Sequence, residues 1–318
     1  MLHFALWLGI PLLLTSLAGV LVIPSINAWM PGGSALSGRI LSTLLTLFGV
    51  LVGTWVAVRW LDHRPFVELG FYIDKYWWWD LGFGLFLGGA LMGLIFLVEW
   101  ILGWIEVKGF FQVSPGRLPF ALEILGPLVV FIVVGITEEV LSRGYQLRNL
   151  AEGLNFRPFG PHGSLVIAWL LSSAFFGVLH VFNPNTSVIS TVNLILAGLF
   201  LGLGYILTGS LAIPIGLHIT WNFFQGNVFG FPVSGNDFTS ATVIAVDQGG
   251  PELWTGGAFG PEAGLIGVAA MLIGSLLTLA WVYWRNGELR LCTELSIYEP
   301  AVQTERSMVE APNSIEHG

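Results

Sequence analysis

Charged residues are scarce in this 318-residue chain: Asp, Glu, Lys and Arg make up 10% of it, whereas 54% of the residues are hydrophobic. Soluble domains carry about 25% charged residues to cover their surface. The shortage excludes a chain that faces water on all sides, so much of the surface must face lipid. We therefore predict an all-α, polytopic membrane helix bundle.

Basic residues and cysteine are also few. The 12 Lys and Arg against 20 Asp and Glu give a formal net charge of −8, which leaves no basic surface for nucleic acid. The single cysteine, Cys292, excludes an internal disulfide and a cysteine-based zinc site. The bilayer, and not nucleic acid, is the expected partner.

Long apolar runs are abundant. A helix of about 20 apolar residues spans a bilayer, and eight segments reach that length: residues 4–24, 38–61, 78–104, 120–147, 163–182, 188–208, 210–231 and 261–284. No Lys or Arg precedes the first run, and it exceeds the apolar core of a signal peptide, so we predict a transmembrane helix there.

These runs divide the chain into five predicted parts. Three helices and their loops occupy 1–119, a helical core that contains spans 4–7 occupies 120–231, a loop occupies 232–260, a last helix occupies 261–285, and a polar tail occupies 286–318.

The distribution of Lys and Arg predicts the orientation, because these residues favour cytoplasmic loops. With eight spans, the two termini share a side with the loops after the second, fourth and sixth spans. That side holds Arg59, Arg64, Lys75, Arg143, Arg148, Arg157, Arg285, Arg290 and Arg306, and the other side holds Arg39, Lys108 and Arg117. We therefore predict an integral membrane protein with both termini in the cytoplasm and the 232–260 loop outside.

Two adjacent carboxylates, Glu138 and Glu139, lie in the C-terminal part of the fourth predicted span. Charges inside a bilayer are costly and therefore indicate function. Glu139 and Arg143 are four residues apart on one helix face, so an ion pair between them is expected. Glu138 projects to another face and stays available to bind a proton, a water molecule or a metal ion. A charged helix end near the headgroups is the simpler interpretation.

Two of the six histidines lie within predicted spans. Phe176 and His180 are four residues apart at the end of the fifth span, and His218 and Asn222 are four apart in the seventh. Residues at this spacing share a helix face, and an imidazole beside an amide can orient water or donate to an oxyanion. Taken singly, each motif also fits an interfacial histidine or an asparagine in helix packing.

Other hydrolytic motifs are missing: the sequence has neither HExxH nor GxSxG, and no GxGD-type aspartyl site is evident. Glu99 and Glu123 are also acidic residues in predicted spans, but neither has a matching neighbour on its helix. Two histidines and a carboxylate are the inventory of a catalytic zinc site. They also suffice for metal-free activation of water by a glutamate and a histidine, so zinc is a candidate cofactor only.

In order and separation, these motifs resemble those of the CAAX prenyl protease and bacteriocin-processing (Abi) family, which includes the type II CAAX endopeptidases. The motifs are Glu138-Glu139-x-x-x-Arg143, Phe176-x-x-x-His180 and His218-x-x-x-Asn222. The resemblance covers about Leu122 to Gly226. It departs at Ser142, where relatives often have Phe, and this position is expected to serve packing.

The resemblance implies an intramembrane endopeptidase, a hydrolase that cleaves near the C-terminus of a peptide or membrane-protein substrate. By position, Glu138 would activate water and His180 would assist. His218 and Asn222 would stabilise the oxyanion or bind a metal, which would make the enzyme a metalloprotease with Glu138, His180 and His218 as candidate ligands. Three residues would support the architecture: Glu139, Arg143 and Phe176.

Two other functions stay open from the sequence. A catalytically silent member would act as a membrane scaffold or chaperone, and an ion-coupled transporter would use Glu138 and the two histidines as a relay. One geometric condition applies to the protease. Glu138 lies near the cytoplasmic end of its predicted span and His180 near the opposite end of its own. They meet only if the fourth helix continues past residue 150, or if the fifth helix is broken or tilted.

Overall fold

The structure is a computed structural model that describes residues 35–115 and 118–298. The first predicted span, 4–24, and the part of the polar tail beyond residue 298 lie outside the described residues. The helices are α1 (Ala35–Trp60), α2 (Lys75–Ile101), α3 (Phe120–Glu123), α4 (Leu125–Glu139), α5 (Arg148–Leu154), α6 (Gly160–Leu179), α7 (Val188–Thr208), α8 (Ala212–Phe223), α9 (Glu252–Thr255) and α10 (Leu265–Asn286).

Two π-helical segments and several 3₁₀ turns connect these helices. Val140–Leu147 continues α4 into α5, and Phe224–Val228 continues α8. The 3₁₀ turns are Phe66–Leu69, His180–Phe182, Gly257–Phe259, Pro261–Ala263 and Thr293–Ser296. π-helical turns are rare and are frequently found at functional sites. Here one segment follows Glu138 and Glu139, and the other follows His218 and Asn222.

Within the described ranges, five helices are long and apolar enough to cross a bilayer: Lys75–Ile101, Phe120–Leu154, Gly160–Phe182, Val188–Thr208 and Leu265–Asn286. The prediction of a polytopic helical membrane protein is confirmed. The predicted second span coincides with α1, of which Leu47–Trp60 forms a shorter apolar helix. The predicted seventh span coincides with α8 and its π-helical continuation. The predicted fourth span was too short, because the chain stays helical to Leu154.

Local sequence explains several helix ends. The Asp74 side chain accepts a hydrogen bond from the backbone N–H of Trp77 (2.7 Å) and so caps α2. Ser187 and Ser190 form a reciprocal capping box at the start of α7, which satisfies backbone donors that have no partner inside the helix. Gly209 ends α7 in the left-handed conformation (φ 67°), which glycine adopts at little cost.

Helices α2 and α8 pack with their backbones in close contact. A Cβ atom at Gly84 would lie 2.4 Å from the carbonyl oxygen of Ile213, and one at Gly216 would lie 2.5 Å from that of Leu81. Small residues allow such an approach between helices in a membrane. The packing fixes α8, which carries His218, against the centre of the bundle.

The structure contains a β-ribbon where the sequence predicted loops. Strands β1 (Ile105–Val113) and β2 (Ala241–Gln248) pair antiparallel, from Ile105 opposite Gln248 to Val113 opposite Ala241. This ribbon was not predicted, and β2 lies inside the 232–260 loop. The start of the polar tail is also ordered on the bundle, since Asn155 donates to the carbonyl oxygen of Ser296 (2.8 Å).

Candidate active site

The long helix Phe120–Leu154 carries the two adjacent carboxylates. Glu138 and Glu139 end α4 immediately before the π-helical segment. Glu139 is fully buried, whereas the side chain of Glu138 is 33% exposed and lines a cavity of about 420 Å³. The helix continues past residue 150, which is one of the two arrangements that the sequence analysis gave for Glu138 and His180 to meet.

Arg143 is the ion-pair partner of Glu139. It is buried, and its Nη1 donates to Glu139 Oε1 (2.8 Å) while its Nη2 donates to the carbonyl oxygen of Gly198 (3.0 Å). Its guanidinium lies over the ring of Phe176, 4.5 Å from the centroid. The pair expected from the spacing is therefore present, and it joins the long helix to α6 and α7.

His218 approaches both carboxylates from α8. Its Nδ1 lies 2.7 Å from Glu139 Oε1, and its Nε2 lies 3.9 Å from Glu138 Oε2. A carboxylate only accepts hydrogen bonds, so we assign the proton to Nδ1. In the neutral ring Nε2 is then an acceptor that faces Glu138. The sequence did not predict this link between His218 and Glu139.

His180 lies in the 3₁₀ turn that follows α6. Its Nδ1 is 2.8 Å from the carbonyl oxygen of Phe176, which again assigns the proton to Nδ1 and leaves Nε2 as an acceptor. The ring of Phe176 contacts His180 (centroids 4.9 Å apart) and His218 (6.2 Å). One buried aromatic ring thus supports both imidazoles and the arginine.

Asn222 lies one helical turn after His218 on α8. Glu138, His180, His218 and Asn222, which come from three separate helical segments, all line the same cavity. The structure therefore brings together the four residues to which the sequence analysis gave catalytic roles. Glu139 contacts His218, Arg143 contacts Glu139, and Phe176 lies against Arg143 and also lines the cavity.

Further polar residues line the cavity that the sequence analysis did not assign to the site: Ser142, Asn183, Ser234, Asn236 and Glu262. Ser142 was expected to serve packing only. The sequence could have indicated Glu262 as a site residue, because it falls just inside the predicted eighth span, where a carboxylate is costly. The other three lie in polar turns, and no sequence pattern connects them with the motifs.

The candidate zinc ligands do not form a metal centre in this arrangement. Within residues 35–115 and 118–298, no group of three or more His, Cys, Asp or Glu side chains is placed to hold a metal ion. Nδ1 of His218 is engaged by Glu139, and Nδ1 of His180 by a backbone carbonyl, so Nε2 is the nitrogen that each ring presents to the cavity.

Fold and site together define a multi-pass helical membrane protein whose bundle encloses a carboxylate–imidazole cavity. Residues 120–224 match the family described as type II CAAX prenyl endopeptidase, Rce1-like. The match confirms the resemblance over this segment, which contains all four cavity residues with assigned roles. It covers α3 to α8 and leaves out the ribbon and α10.

One curated protein is similar over a longer stretch. The uncharacterized protein YyaK of Bacillus subtilis (strain 168) is 26% identical over 187 residues, which are 58% of this chain and 58% of that protein. The similarity thus spans less than two thirds of either chain. No solved structure matches this chain.

Proposed function

We propose that this chain is a membrane-embedded endopeptidase that hydrolyses a peptide bond with water activated by Glu138. The approach of His218 to Glu138, inside a cavity that also contains His180 and Asn222, carries the proposal. The match of residues 120–224 to a family of endopeptidases supports the same reaction class. The substrate is a peptide or a membrane protein.

Glu138 acts as the general base. It takes a proton from water, and the hydroxide attacks the carbonyl carbon of the scissile bond. The proton then passes to the leaving nitrogen, so that the products are a carboxylic acid and an amine. A carboxylate that is partly exposed in the cavity is suited to this role, since it can reach water, and the nearby Arg143 is paired with Glu139.

His180, His218 and Asn222 act on the oxygen that becomes negative. The side-chain amide of Asn222 has no partner among the described residues and can donate to the oxyanion. With Nδ1–H of His218 held by Glu139, its Nε2 can accept the proton that Glu138 takes from water and then donate it toward the oxyanion. Nε2 of His180 assists the transfer of the proton between water and the leaving nitrogen.

The orientation predicted from Lys and Arg indicates toward which side of the membrane the cavity opens. Ser234, Asn236 and Glu262 line it, and they lie in or beside the loop that is predicted to be outside. We therefore propose that the cavity opens toward the extracytoplasmic half of the bilayer, with both termini in the cytoplasm.

The proposal is tested by comparing wild type with Glu138→Gln in the native host lacking its own copy. Membrane and secreted peptides are analysed by mass spectrometry for new C-termini. New C-termini are expected with the wild type and with Glu106→Gln, an exposed carboxylate on the ribbon, but not with Glu138→Gln. If the Glu138→Gln peptides equal those of the wild type, the proposed base is wrong and a scaffold function gains support.

A further inference from the structure

Glu262 is a buried carboxylate that the proposed mechanism does not use. It lies in the turn before α10, is 3% exposed and lines the cavity. Its Oε1 accepts hydrogen bonds from the backbone N–H (2.6 Å) and the hydroxyl (3.3 Å) of Ser234, and its Oε2 accepts one from the side chain of Gln225. Both oxygens are thus occupied by groups of the protein, so Glu262 is not available to act on a substrate.

Ser234 has a strained backbone that these hydrogen bonds hold in place. Its φ is 47°, in the left-handed region that residues other than glycine seldom adopt. Glu262 binds its N–H, while its carbonyl oxygen accepts from the side chains of Asn183 (2.9 Å) and Asn236 (3.1 Å). Such conformations persist only where the surroundings fix them, and they cluster at functional sites.

Asn183 extends the connection to His180. Its backbone N–H donates to the carbonyl oxygen of His180 (3.0 Å), and the hydroxyl of Thr186 donates to the same oxygen (3.2 Å). Asn185, in the same turn, donates to the carbonyl oxygen of Gly235 (3.3 Å). A continuous series of hydrogen bonds therefore runs from Glu262 through Ser234 and Asn183 to the turn that carries His180.

We propose that Glu262 is a positioning residue of the active site: as the acceptor for Ser234 it fixes the 232–236 wall of the cavity and, through Asn183, the placement of His180. The catalytic role of His180 rests on the proposed function. The series of hydrogen bonds from Glu262 to the turn of His180 does not depend on it. It predicts that the acceptor oxygen of Glu262 matters more than its charge.

Two variants separate the oxygen from the charge. Glu262→Met has a side chain of similar length without an acceptor. Glu262→Gln keeps an oxygen for Ser234, and its new amide can face Gln225, whose Oε1 has no partner among the described residues and can turn to accept. Glu252→Gln is the matched control, because it removes an exposed carboxylate from the same part of the chain.

Hydrogen exchange of the purified protein, followed by mass spectrometry, tests the connection without a substrate. Glu262→Met is expected to speed exchange in 180–187 and 231–236 by about tenfold or more and to leave α2 and α8 unchanged. Glu262→Gln should stay within about threefold of the wild type in these segments, and Glu252→Gln should equal it. If Glu262→Met does not fold, Asn183→Ala breaks the series at its middle and should speed exchange in 180–187.

The same variants are then assayed for peptide cleavage, where Glu262→Met should lose activity and Glu262→Gln should largely keep it. Unchanged exchange in Glu262→Met, or a rise spread over the whole chain, overturns the positioning role. The two proposals can fail separately. If the wild type cleaves no peptide but Glu262→Met still speeds exchange in 180–187 and 231–236, the protease function is wrong and the positioning role stands. If cleavage depends on Glu138 but Glu262→Met leaves exchange unchanged, the positioning role of Glu262 is wrong and the protease function stands.

Discussion

At the scale of single residues, the buried arginine explains how two carboxylates coexist inside the bundle. Glu139 is fully buried, and its Oε2 has no hydrogen-bond partner among the described residues. Its other oxygen is shared by Arg143 and His218. Breaking a buried ion pair by removing one partner leaves an uncompensated charge, which is far more costly than losing a surface pair.

Arg143→Met should therefore destabilise the protein strongly. We expect a loss of about 3 kcal/mol or more, seen as a thermal midpoint in detergent that is lower by roughly 5 °C or more. Arg290→Met is the control, since the Arg290 side chain is 65% exposed in its ion pairs and such pairs contribute only about 0.5 kcal/mol. Equal midpoints for the two variants would contradict the account of the buried pair.

Glu262 gives the molecule a specific dependence of stability on pH. Burial raises its pKa from 4.5 to about 7, so the folded state holds a proton that the unfolded state has lost. Its stabilising contribution is present below pH 4.5 and is lost as the pH rises through about 7, a change of about 3 kcal/mol. The thermal midpoint of the wild type, relative to Glu262→Gln, should fall across this range. If the thermal midpoints of the wild type and Glu262→Gln change in parallel with pH, Glu262 does not titrate between pH 4.5 and about 7.

The sequence could predict contacts within a helix but not those between helices. The ion pair of Glu139 with Arg143 follows from a spacing of four, and the same spacing places His218 and Asn222 on the cavity side of α8. The contact of His218 with Glu139 depends on how α8 is rotated against the long helix, which no local pattern encodes. The same limit applies to Ser234 and Asn183, whose roles arise from the meeting of two distant turns.

At the scale of elements, the long helix Phe120–Leu154 positions the site. Its π-helical segment Val140–Leu147 directly follows Glu139, and that segment carries Arg143. Extending the helix past the predicted end at residue 147 places Glu138 away from the end of the helix, where it shares a cavity with His180. The sequence analysis left two arrangements open, a longer fourth helix or a broken or tilted fifth helix, and the structure has the longer fourth helix.

The close packing of α2 on α8 gives a prediction with a control on the same helix. A Cβ at Gly84 would lie 2.4 Å from the carbonyl oxygen of Ile213 and 2.9 Å from the backbone nitrogen of Leu217, whereas nothing lies within 4 Å of one at Gly82. Gly84→Ala should cost about 1–3 kcal/mol, since backbone cannot yield easily. Gly82→Ala should be neutral or stabilise the helix by up to about 1 kcal/mol. Thermal midpoints in detergent provide the comparison, and similar values for both would refute the packing.

Helices could be predicted more readily than strands. The predicted bounds of α7 agree with the structure because a capping serine and a left-handed glycine mark its ends. Strands β1 and β2 were missed because they pair across a long stretch of chain: β1 precedes the long helix in the sequence and β2 follows it. A lone strand pattern in a membrane protein gives no indication of its partner.

At the scale of the whole molecule, the orientation in the membrane decides where substrates reach the cavity. Between Glu252 and Glu288, all of which the structure describes, α10 is the one helix long and apolar enough to cross a bilayer, so the two positions lie on opposite sides if α10 spans it. Cys292, the only cysteine, is expected to react slowly with thiol reagents, because burial raises the pKa of its thiol to about 11 and the thiolate is the reactive form.

Cysteine labelling tests this orientation. In a Cys292→Ser background, Glu252→Cys should react with a membrane-impermeant maleimide in intact cells. Glu288→Cys should react only after the cells are permeabilised. The opposite pattern would reverse the orientation and place the mouth of the cavity on the cytoplasmic side.

The central claim is that the cavity around Glu138 hydrolyses peptide bonds. The most direct measurement uses purified protein in vesicles, mixed with solubilised membrane proteins of a host that lacks the chain, in water labelled with a heavy oxygen isotope. New C-termini that carry the label should appear with the wild type and with Glu106→Gln, and should fall by about a hundredfold or more with Glu138→Gln. Identical C-termini from the wild type and Glu138→Gln would contradict the account.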